Sequence, residues 1–329
     1  MRAVIIKEFG SIDTPVLGEM PEPIPKAGEV IVRVRATAVN FVDLLVVAGT
    51  YQFLPPRPFV PGKGPAGVVV ALGEGVMDLK VGDRVLAMAE QGGYGELAAV
   101  LASQCYRIPE QMSFGDAASM SLAYDTAWFA LRERGRYRAG EVVLVLGATG
   151  AVGYAAVQLA KAMGATVLAG VSSVAKADMV SAAGAAIIDL SAPDLRNSLR
   201  DQVHAANNGK GADIVIDMLG GDIFDAALRA VAWRGRVVVV GFAAGRIPTI
   251  KANYLMVKNI EVSGMQVSDY RKKMPELAAQ CFAEIFSFYE AGMVKPASYT
   301  ALPLEQFATG LRMVQERSAK GRVILTQEK

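Results

Sequence analysis

Three glycines at fixed spacing form the feature of this sequence with the most defined chemistry. The segment Gly147-Ala148-Thr149-Gly150-Ala151-Val152-Gly153 follows the apolar run Val142–Leu146 and opens a helical pattern. Glycines allow a tight turn and a close approach of a pyrophosphate to backbone N–H groups, and a helix N-terminus attracts the anion. Because strand, turn and helix follow in this order, the segment predicts a dinucleotide site; the alternative is a tight turn without a ligand.

The end of the next predicted strand bears on which nicotinamide cofactor is bound. An NAD site usually carries Asp or Glu there, for the ribose 2′-hydroxyl. No acidic residue occurs between Glu141 and Asp178, and the strand runs into Ser172, Ser173 and Lys176. Hydroxyls and an ammonium suit a 2′-phosphate, so the pattern favours NADPH over NADH. The alternative for Lys176 is a surface lysine on the first turn of a helix.

Two later strand ends are predicted to complete the cofactor site. Ligands of open parallel sheets bind outside the carboxyl ends of the strands. Met218-Leu219-Gly220 ends one such strand, and Leu219 is expected near the ribose through backbone contacts. Gly241-Phe242-Ala243 ends another, where Phe242 supports the nicotinamide ring or is a core aromatic.

Regular alternation of strands and helices from residue 142 to residue 241 predicts the scaffold for these groups. Alternation at this spacing indicates a doubly wound parallel sheet with helices on both faces, an α/β fold. Before residue 120 the chain has short strands separated by Gly/Pro turns, which indicates a small β-rich domain. We expect domains at 1–122 and 123–264, with 265–329 returning to the first.

Composition excludes several classes of protein. The 329 residues include 34 basic and 32 acidic side chains, a balance that argues against a nucleic-acid binder. One histidine and two cysteines argue against a four-cysteine zinc site, a disulfide framework and a His-based triad. Such sparse cysteines favour a reducing compartment, and we expect a cytoplasmic protein.

One uncharged stretch is long enough to span a bilayer. Nineteen residues without a charge lie between Glu141 and Lys161. Their β-branched start and three glycines indicate a buried strand, a turn and a helix, so no membrane insertion is predicted.

Five motifs, taken in chain order, resemble one family. They are Val39-Asn40-Phe41-Val42-Asp43, Pro61-Gly62-Lys63-Gly64-Pro65-Ala66-Gly67, Val81-Gly82-Asp83-Arg84-Val85, the turn at 147–153, and Gly321-Arg322-Val323-Ile324-Leu325. Over essentially its whole length the chain resembles the zinc-free quinone oxidoreductases of the medium-chain dehydrogenase/reductase superfamily, which include zeta-crystallin. The resemblance implies a GroES-like catalytic domain, a Rossmann domain, a C-terminal return to the first domain, and a homodimer.

Departures from zinc-dependent relatives narrow the expected chemistry. Those relatives carry a cysteine at the position of Asn40 and Gly-His-Glu at 62–64, and they insert a four-cysteine lobe that this sequence lacks. We therefore expect no metal, and acceptors that are already electron-poor. Many zinc-free relatives carry a glutamate at the position of Gly64, and others carry a tyrosine near the adenosine phosphate, where this chain has Asp189-Leu190. The second departure weakens the case for a 2′-phosphate.

The resemblance also assigns roles to single residues. Asn40 would donate its amide to an acceptor oxygen that gains negative charge, or order a loop through its own backbone. Tyr51 would donate a proton, or pack on neighbouring prolines. Thr126 would contact the nicotinamide end, or bond within its helix. Arg322 would reach the 2′-phosphate, or be solvated.

The expected function is NADPH-dependent reduction without zinc. Hydride would go to a quinone or to the activated C=C of an α,β-unsaturated carbonyl compound, and the sequence leaves these two open. The alternatives are an enoyl- or acryloyl-thioester reductase and a non-catalytic, crystallin-like NADPH-binding module.

Overall fold

The computed structural model describes residues 1–174 and 177–327, so Lys176 lies outside the described residues. The chain divides into two compact units. The first comprises Met1–Leu122, Arg271–Phe286 and Pro296–Lys329. The second comprises Ala123–Tyr270 and Ser287–Lys295.

Strands and helices are numbered in chain order. The strands are β1 Arg2–Ile5, β2 Val16–Glu19, β3 Glu29–Val39, β4 Ala66–Leu72, β5 Arg84–Ala87, β6 Leu97–Leu101, β7 Cys105–Arg107, β8 Val142–Leu146, β9 Thr166–Val171, β10 Ala186–Asp189, β11 Ala212–Asp217, β12 Val231–Val239, β13 Glu261–Gly264, β14 Tyr299–Pro303 and β15 Arg322–Thr326. The α-helices are α1 Phe41–Val47, α2 Phe114–Phe129, α3 Ala151–Ala162, α4 Asp178–Ala182, α5 Leu195–Ala206, α6 Gly221–Ala230, α7 Ala252–Lys258, α8 Val267–Lys273, α9 Pro275–Glu290 and α10 Phe307–Gln315. Among the described residues, no helix is both long and apolar enough to cross a membrane.

The first unit is built around the long strand β3. A seven-stranded sheet runs β14-β15-β3-β4-β5-β7, and β6 also pairs with β3. Eight of the eleven residues of β3 are buried, so the strand is packed on both of its faces over most of its length. The last strand, β15, pairs antiparallel with β3 and places Val323 opposite Val39. This register carries the C-terminal residues to the end of β3 where Asn40 follows.

The second unit is a six-stranded parallel sheet in the order β10-β9-β8-β11-β12-β13. All five residues of β8 are buried, as expected when helices cover both faces of a parallel sheet. The chain order reverses between β8 and β11, and ligands of such sheets bind at this reversal. The predicted α/β fold class, with a GroES-like unit and a Rossmann unit, is confirmed.

Three elements differ from the sequence prediction. Helix α1 forms in the proline-rich region, where only strands and turns were expected. Apolar residues at helical spacing predict a continuous helix over 116–134, but α2 is interrupted by non-helical backbone at Ser121 and is followed by a π-helical turn, Ala130–Arg134. The sequence predicts a strand over Arg236–Gly241, but β12 begins five residues earlier, at Val231, because a bulge with Arg234 at φ +62° extends the strand towards α6.

Candidate functional site

The glycine turn of the second unit has the geometry of an anion cradle. Gly147 adopts φ +79°, and the N–H groups of Gly147 and Ala148 both donate to the Gly170 carbonyl oxygen at 3.0 Å. The Gly150 N–H donates to the Gly147 oxygen at 3.0 Å, and α3 begins at the next residue. The first N–H groups of a helix have no acceptor within it, so those of α3 are available to a ligand.

Space around the turn separates the roles of its other two glycines. A Cβ added at Gly153 would overlap the Gly147 carbonyl oxygen and lie 2.8 Å from the Ala148 Cα. Gly153 therefore lets α3 pack against the turn. A Cβ added at Gly150 would approach only the Gly147 oxygen, at 3.3 Å, which leaves the outer side of the turn open. The turn therefore has room on its outer side for a pyrophosphate, and the binding of a pyrophosphate there stays a prediction.

The ends of β11 and β12 lie beside this turn and are tied together. The Ala243 N–H donates to the Met218 oxygen at 3.0 Å. A Cβ built on Gly147 would lie 3.0 Å from Leu219 Cδ2, so Leu219 packs on the turn. Phe242 is 42% exposed, which argues against its being a core aromatic. The structure thus brings together the predicted residues Leu219, Gly241, Phe242 and Ala243 at the switch point.

Asp217 holds the β11 end in place, a role that sequence reasoning missed. Its carboxylate accepts the N–H groups of Leu219 at 2.9 Å and Gly220 at 3.1 Å. Burial raises the pKa of Asp217, while these backbone hydrogen bonds oppose the rise. An acidic residue closing a buried apolar strand was the available signal.

Of the three residues predicted to bind the 2′-phosphate after β9, the structure describes two. Ser172 is exposed and Ser173 half-buried, whereas Lys176 lies outside the described residues. Asp189 of the neighbouring β10 is in register with Val171. Hydrogen bonds from Ser191 lower the pKa of Asp189, so an ionised carboxylate lies one strand away from the two serines.

Thr126 lies on the α2 helix within the second unit. It is almost buried, and its backbone N–H donates to Asp125 Oδ1 at 2.7 Å. No hydrogen bond of its side chain to the preceding turn is among the contacts of the described residues, and its contact with a nicotinamide stays a prediction.

Asn40 is the predicted catalytic residue with the most tightly defined setting. It precedes α1, and its Nδ2 donates to the Ala38 carbonyl oxygen at 3.0 Å. Its Oδ1 accepts from Arg322 Nη2 at 2.8 Å. These two contacts fix which end of the amide is the donor, and they leave one Nδ2 hydrogen for a ligand. The predicted residue Arg322 therefore lies beside Asn40, in the first unit.

Asp43 is a buried acid beneath Asn40 that the sequence did not single out. Its Oδ2 accepts the Asn40 backbone N–H at 2.7 Å and the Tyr94 hydroxyl at 3.0 Å. Its Oδ1 has no hydrogen-bond partner among the described residues. Burial raises the pKa of Asp43 to about 6, although these hydrogen bonds and the charges of Lys63 and Arg322 oppose the rise. Burial and Asp43 together raise the pKa of Tyr94 well above its usual value.

Lys63, whose charge acts on Asp43, lies against the ring of Tyr51. Lys63 is 3% exposed, forms an ion pair with Glu90, and places its Nζ 4.8 Å from the centre of the Tyr51 ring. Arg271 Nη1 lies 3.6 Å from the other Glu90 oxygen. Glu90 thus faces two cations, and this arrangement was not foreseen from the sequence.

The glycine at position 64 has a steric explanation. Gly64 adopts φ +62°, and a Cβ there would lie 2.8 Å from Leu122 Cδ1 and 3.0 Å from Ser121 Cβ. A glutamate at this position would therefore strain the backbone and force the Leu122 and Ser121 side chains to shift.

A pocket of about 350 Å³ in the first unit is lined by some of these groups, whereas Asn40 and Tyr51 are not among its lining residues. Its walls are mostly apolar or aromatic, with Asp43, Lys63, Glu90 and Lys272 as the charged members. Small-molecule sites commonly combine apolar walls with a few polar groups. Among the described residues, no cluster of three His, Cys, Asp or Glu side chains is arranged to hold a metal ion.

Comparisons with known proteins agree with this architecture. The Alcohol dehydrogenase GroES-like domain model matches residues 26–110, and the Zinc-binding dehydrogenase model matches residues 151–284. A Quinone oxidoreductase-like protein 2 homolog from Nematostella vectensis is 33% identical over 329 residues, covering 98% of this chain and 88% of the relative. The chain belongs to the zinc-free quinone oxidoreductase group of the medium-chain dehydrogenase/reductase superfamily. It is an NAD(P)-dependent oxidoreductase.

Two solved structures resemble the oxidoreductase throughout. A mycobacterial quinone oxidoreductase has a TM-score of 0.92 at 28% identity, covering 99% of this chain and 100% of that chain. A mycobacterial protein complexed with NADPH has a TM-score of 0.89 at 27% identity, with coverage of 99% and 100%. The family expected from the motifs is thus confirmed.

Proposed function

We propose that the oxidoreductase uses NADPH to reduce a quinone or the activated C=C of an α,β-unsaturated carbonyl compound. The observation that carries the proposal is the fixed amide of Asn40. Arg322 occupies its oxygen and Ala38 one of its N–H groups, so the remaining N–H is aimed by contacts that need no ligand. A preoriented donor stabilises charge that develops on an acceptor oxygen.

The chain's own residues have defined parts in this proposal. The turn at 147–153 binds the pyrophosphate through backbone N–H groups. When bound, NADPH would supply a hydride from nicotinamide C4. Asn40 donates its remaining N–H to the acceptor oxygen, and Tyr51 or water supplies the proton that completes the reduction. Tyr51 is suited to this because a phenol is mostly protonated at neutral pH.

The choice of NADPH over NADH rests on Ser172, Ser173 and Lys176. Two hydroxyls and an ammonium favour a 2′-phosphate, and the structural relative complexed with NADPH supports the choice. The carboxylate of Asp189 opposes it. Fluorescence titration with each cofactor tests this part: we expect tighter binding of NADPH, and equal or tighter binding of NADH would contradict it.

The acceptor class is tested by NADPH consumption with a panel of quinones, enones and enoyl thioesters. Reduction of quinones or enones is expected. Preference for the thioesters would favour the enoyl reductase, for which Lys272 at the pocket offers a cation. Cofactor binding without consumption across the panel would favour a non-catalytic module and overturn the proposal.

We further propose a homodimer and a cytoplasmic location. The second unit exposes three large apolar side chains, Trp233, Met256 and Val257, on β12 and α7, and these elements contact each other. Exposed apolar surface of this kind is typical of interfaces. Light scattering should give twice the chain mass; a monomer would contradict the dimer. Sparse cysteines support the location, which fractionation tests.

A further inference from the structure

Lys63 carries a charge that the function proposed above leaves unused. Its side chain is almost fully buried, yet an ammonium has three N–H donors. Within the described part of the chain, Glu90 accepts one of them and the Tyr51 ring faces the ammonium at 4.8 Å. A buried charged donor that is not fully satisfied is costly unless a ligand completes its hydrogen bonds.

The surroundings of Lys63 define what that ligand is. Lys63 lines the 350 Å³ pocket together with Phe53, Leu54 and Pro55, which are apolar. Glu90 is shared with Arg271, whose Nη1 lies 3.6 Å away, so this carboxylate neutralises Lys63 only in part. A carbonyl or phenolate oxygen on an apolar framework fits this pocket, because it offers an acceptor for the ammonium and apolar surface for the walls.

We propose that Lys63 donates a hydrogen bond to the carbonyl oxygen of the acceptor and stabilises the negative charge formed there during reduction. The inference rests on the proposed function and names a second catalytic residue for it. For an enone, hydride forms a C–H bond at the β-carbon while the C=C electron pair moves towards oxygen. NADPH is oxidised to NADP⁺, and the resulting enolate takes a proton from Tyr51 or water at the α-carbon.

Physical chemistry favours an ammonium for this role. A full positive charge in a water-poor site stabilises an anion more strongly than a neutral amide does.

An oxyanion probe tests this assignment without cofactor or turnover. 4-Nitrophenol is titrated into the full-length protein, and its absorbance reports the fraction of phenolate and the affinity. The wild type should bind the phenolate in preference to the phenol and lower the probe's apparent pKa. Lys63→Met should weaken phenolate binding roughly tenfold or more, since a charge-assisted hydrogen bond is lost. Lys63→Arg should retain most of it.

Two further variants keep the test decisive. Lys7→Met removes an exposed lysine outside the pocket and should leave phenolate binding unchanged. If Lys63→Met alone fails to fold because Glu90 has lost its nearest cation, the double variant Lys63→Met/Glu90→Gln removes both charges and provides a second test. Phenolate binding as tight as wild type in a folded variant without Lys63 would overturn the assignment.

The outcomes separate this inference from the proposed function. If the protein reduces quinones or enones but binds phenolate independently of Lys63, only the role of Lys63 is contradicted. If phenolate binding depends on Lys63 but no acceptor is reduced, the proposed function is contradicted and Lys63 is an anion-binding group.

Discussion

The candidate sites of the two units consist of different chemical groups. In the second unit, the turn at 147–153 presents backbone N–H groups whose positions follow from three glycines within seven residues. In the first unit, Asn40, Asp43 and Lys63 present side chains that are held by distant partners, including Arg322 and Tyr94. A site made of backbone N–H groups tolerates most changes of neighbouring side chains, but it is lost when an added atom clashes with the turn. A side-chain site depends on buried charge and is sensitive to pH.

The largest expected effect comes from a steric clash in the turn of the second unit. Gly153→Ala would drive a Cβ into the Gly147 carbonyl and displace α3 from the turn. We expect a loss of about 3 kcal/mol in the free energy of unfolding and loss of NADPH binding. Denaturant unfolding and cofactor titration measure the two effects.

Two other glycines calibrate that experiment. Gly150→Ala should be milder, since its nearest contact is 3.3 Å away. Gly264→Ala, where a Cβ meets nothing within 4 Å, serves as the control. If Gly153→Ala bound NADPH as tightly as Gly264→Ala, the turn would not be the cofactor site.

Buried charge in the first unit should make stability depend on pH. The pKa of Asp43 is about 6 in the folded protein and near 3.8 ordinarily, so between these values the folded chain holds a proton that the unfolded chain has lost. This contribution to stability is full below about pH 4 and is lost as pH rises through 6. The loss is on the order of 3 kcal/mol.

Asp43→Asn isolates this contribution because asparagine does not titrate. The unfolding free energy of wild type minus that of the variant should fall between pH 4 and pH 7.5, as measured by urea denaturation. A difference that stays constant across this range would show that Asp43 has an ordinary pKa.

Asn40→Ala should affect turnover and leave cofactor binding intact. Loss of an oriented donor to a developing oxyanion lowers kcat by about 100-fold. The NADPH dissociation constant should change little, because the pyrophosphate is expected on backbone N–H groups of the turn at 147–153, and the side-chain contacts of Asn40 are to Ala38 and Arg322. Steady-state kinetics with cofactor titration distinguish these effects, and an unchanged kcat would remove Asn40 from the catalytic residues.

Lys176→Ala is expected to have the smallest effect. Removing one ammonium from a 2′-phosphate should weaken NADPH binding by about tenfold and leave NADH binding unchanged. Lys161→Ala, at an exposed position of α3, is the control. Equal weakening of both cofactors would show that Lys176 does not recognise the phosphate.

Local features of the sequence predicted the second unit well. Alternating strands and helices, together with the glycine spacing, indicated the parallel sheet and the turn at its switch point. The early start of β12 was not predictable, because its bulge depends on a positive φ at Arg234 rather than at a glycine.

Long-range pairings explain why the first unit was predicted less completely. Arg322 reaches Asn40 across 282 residues of chain, because β15 pairs with β3. Lys63 meets Glu90 across 27 residues, and Tyr94 meets Asp43 across 51. No periodicity or spacing encodes these contacts. The motifs marked Asn40 only through a family resemblance, and Asp43 had no signal beyond its place in the same motif.

The stoichiometry of the reaction in the absence of oxygen tests most directly whether the protein transfers hydride from NADPH to a quinone or an enone. NADPH is supplied with an excess of a quinone or an enone, and oxidised cofactor and reduced acceptor are quantified together. We expect equal amounts of the two products, formed about 100-fold more slowly by Asn40→Ala. NADPH that binds but is not oxidised with any acceptor of either class would contradict it.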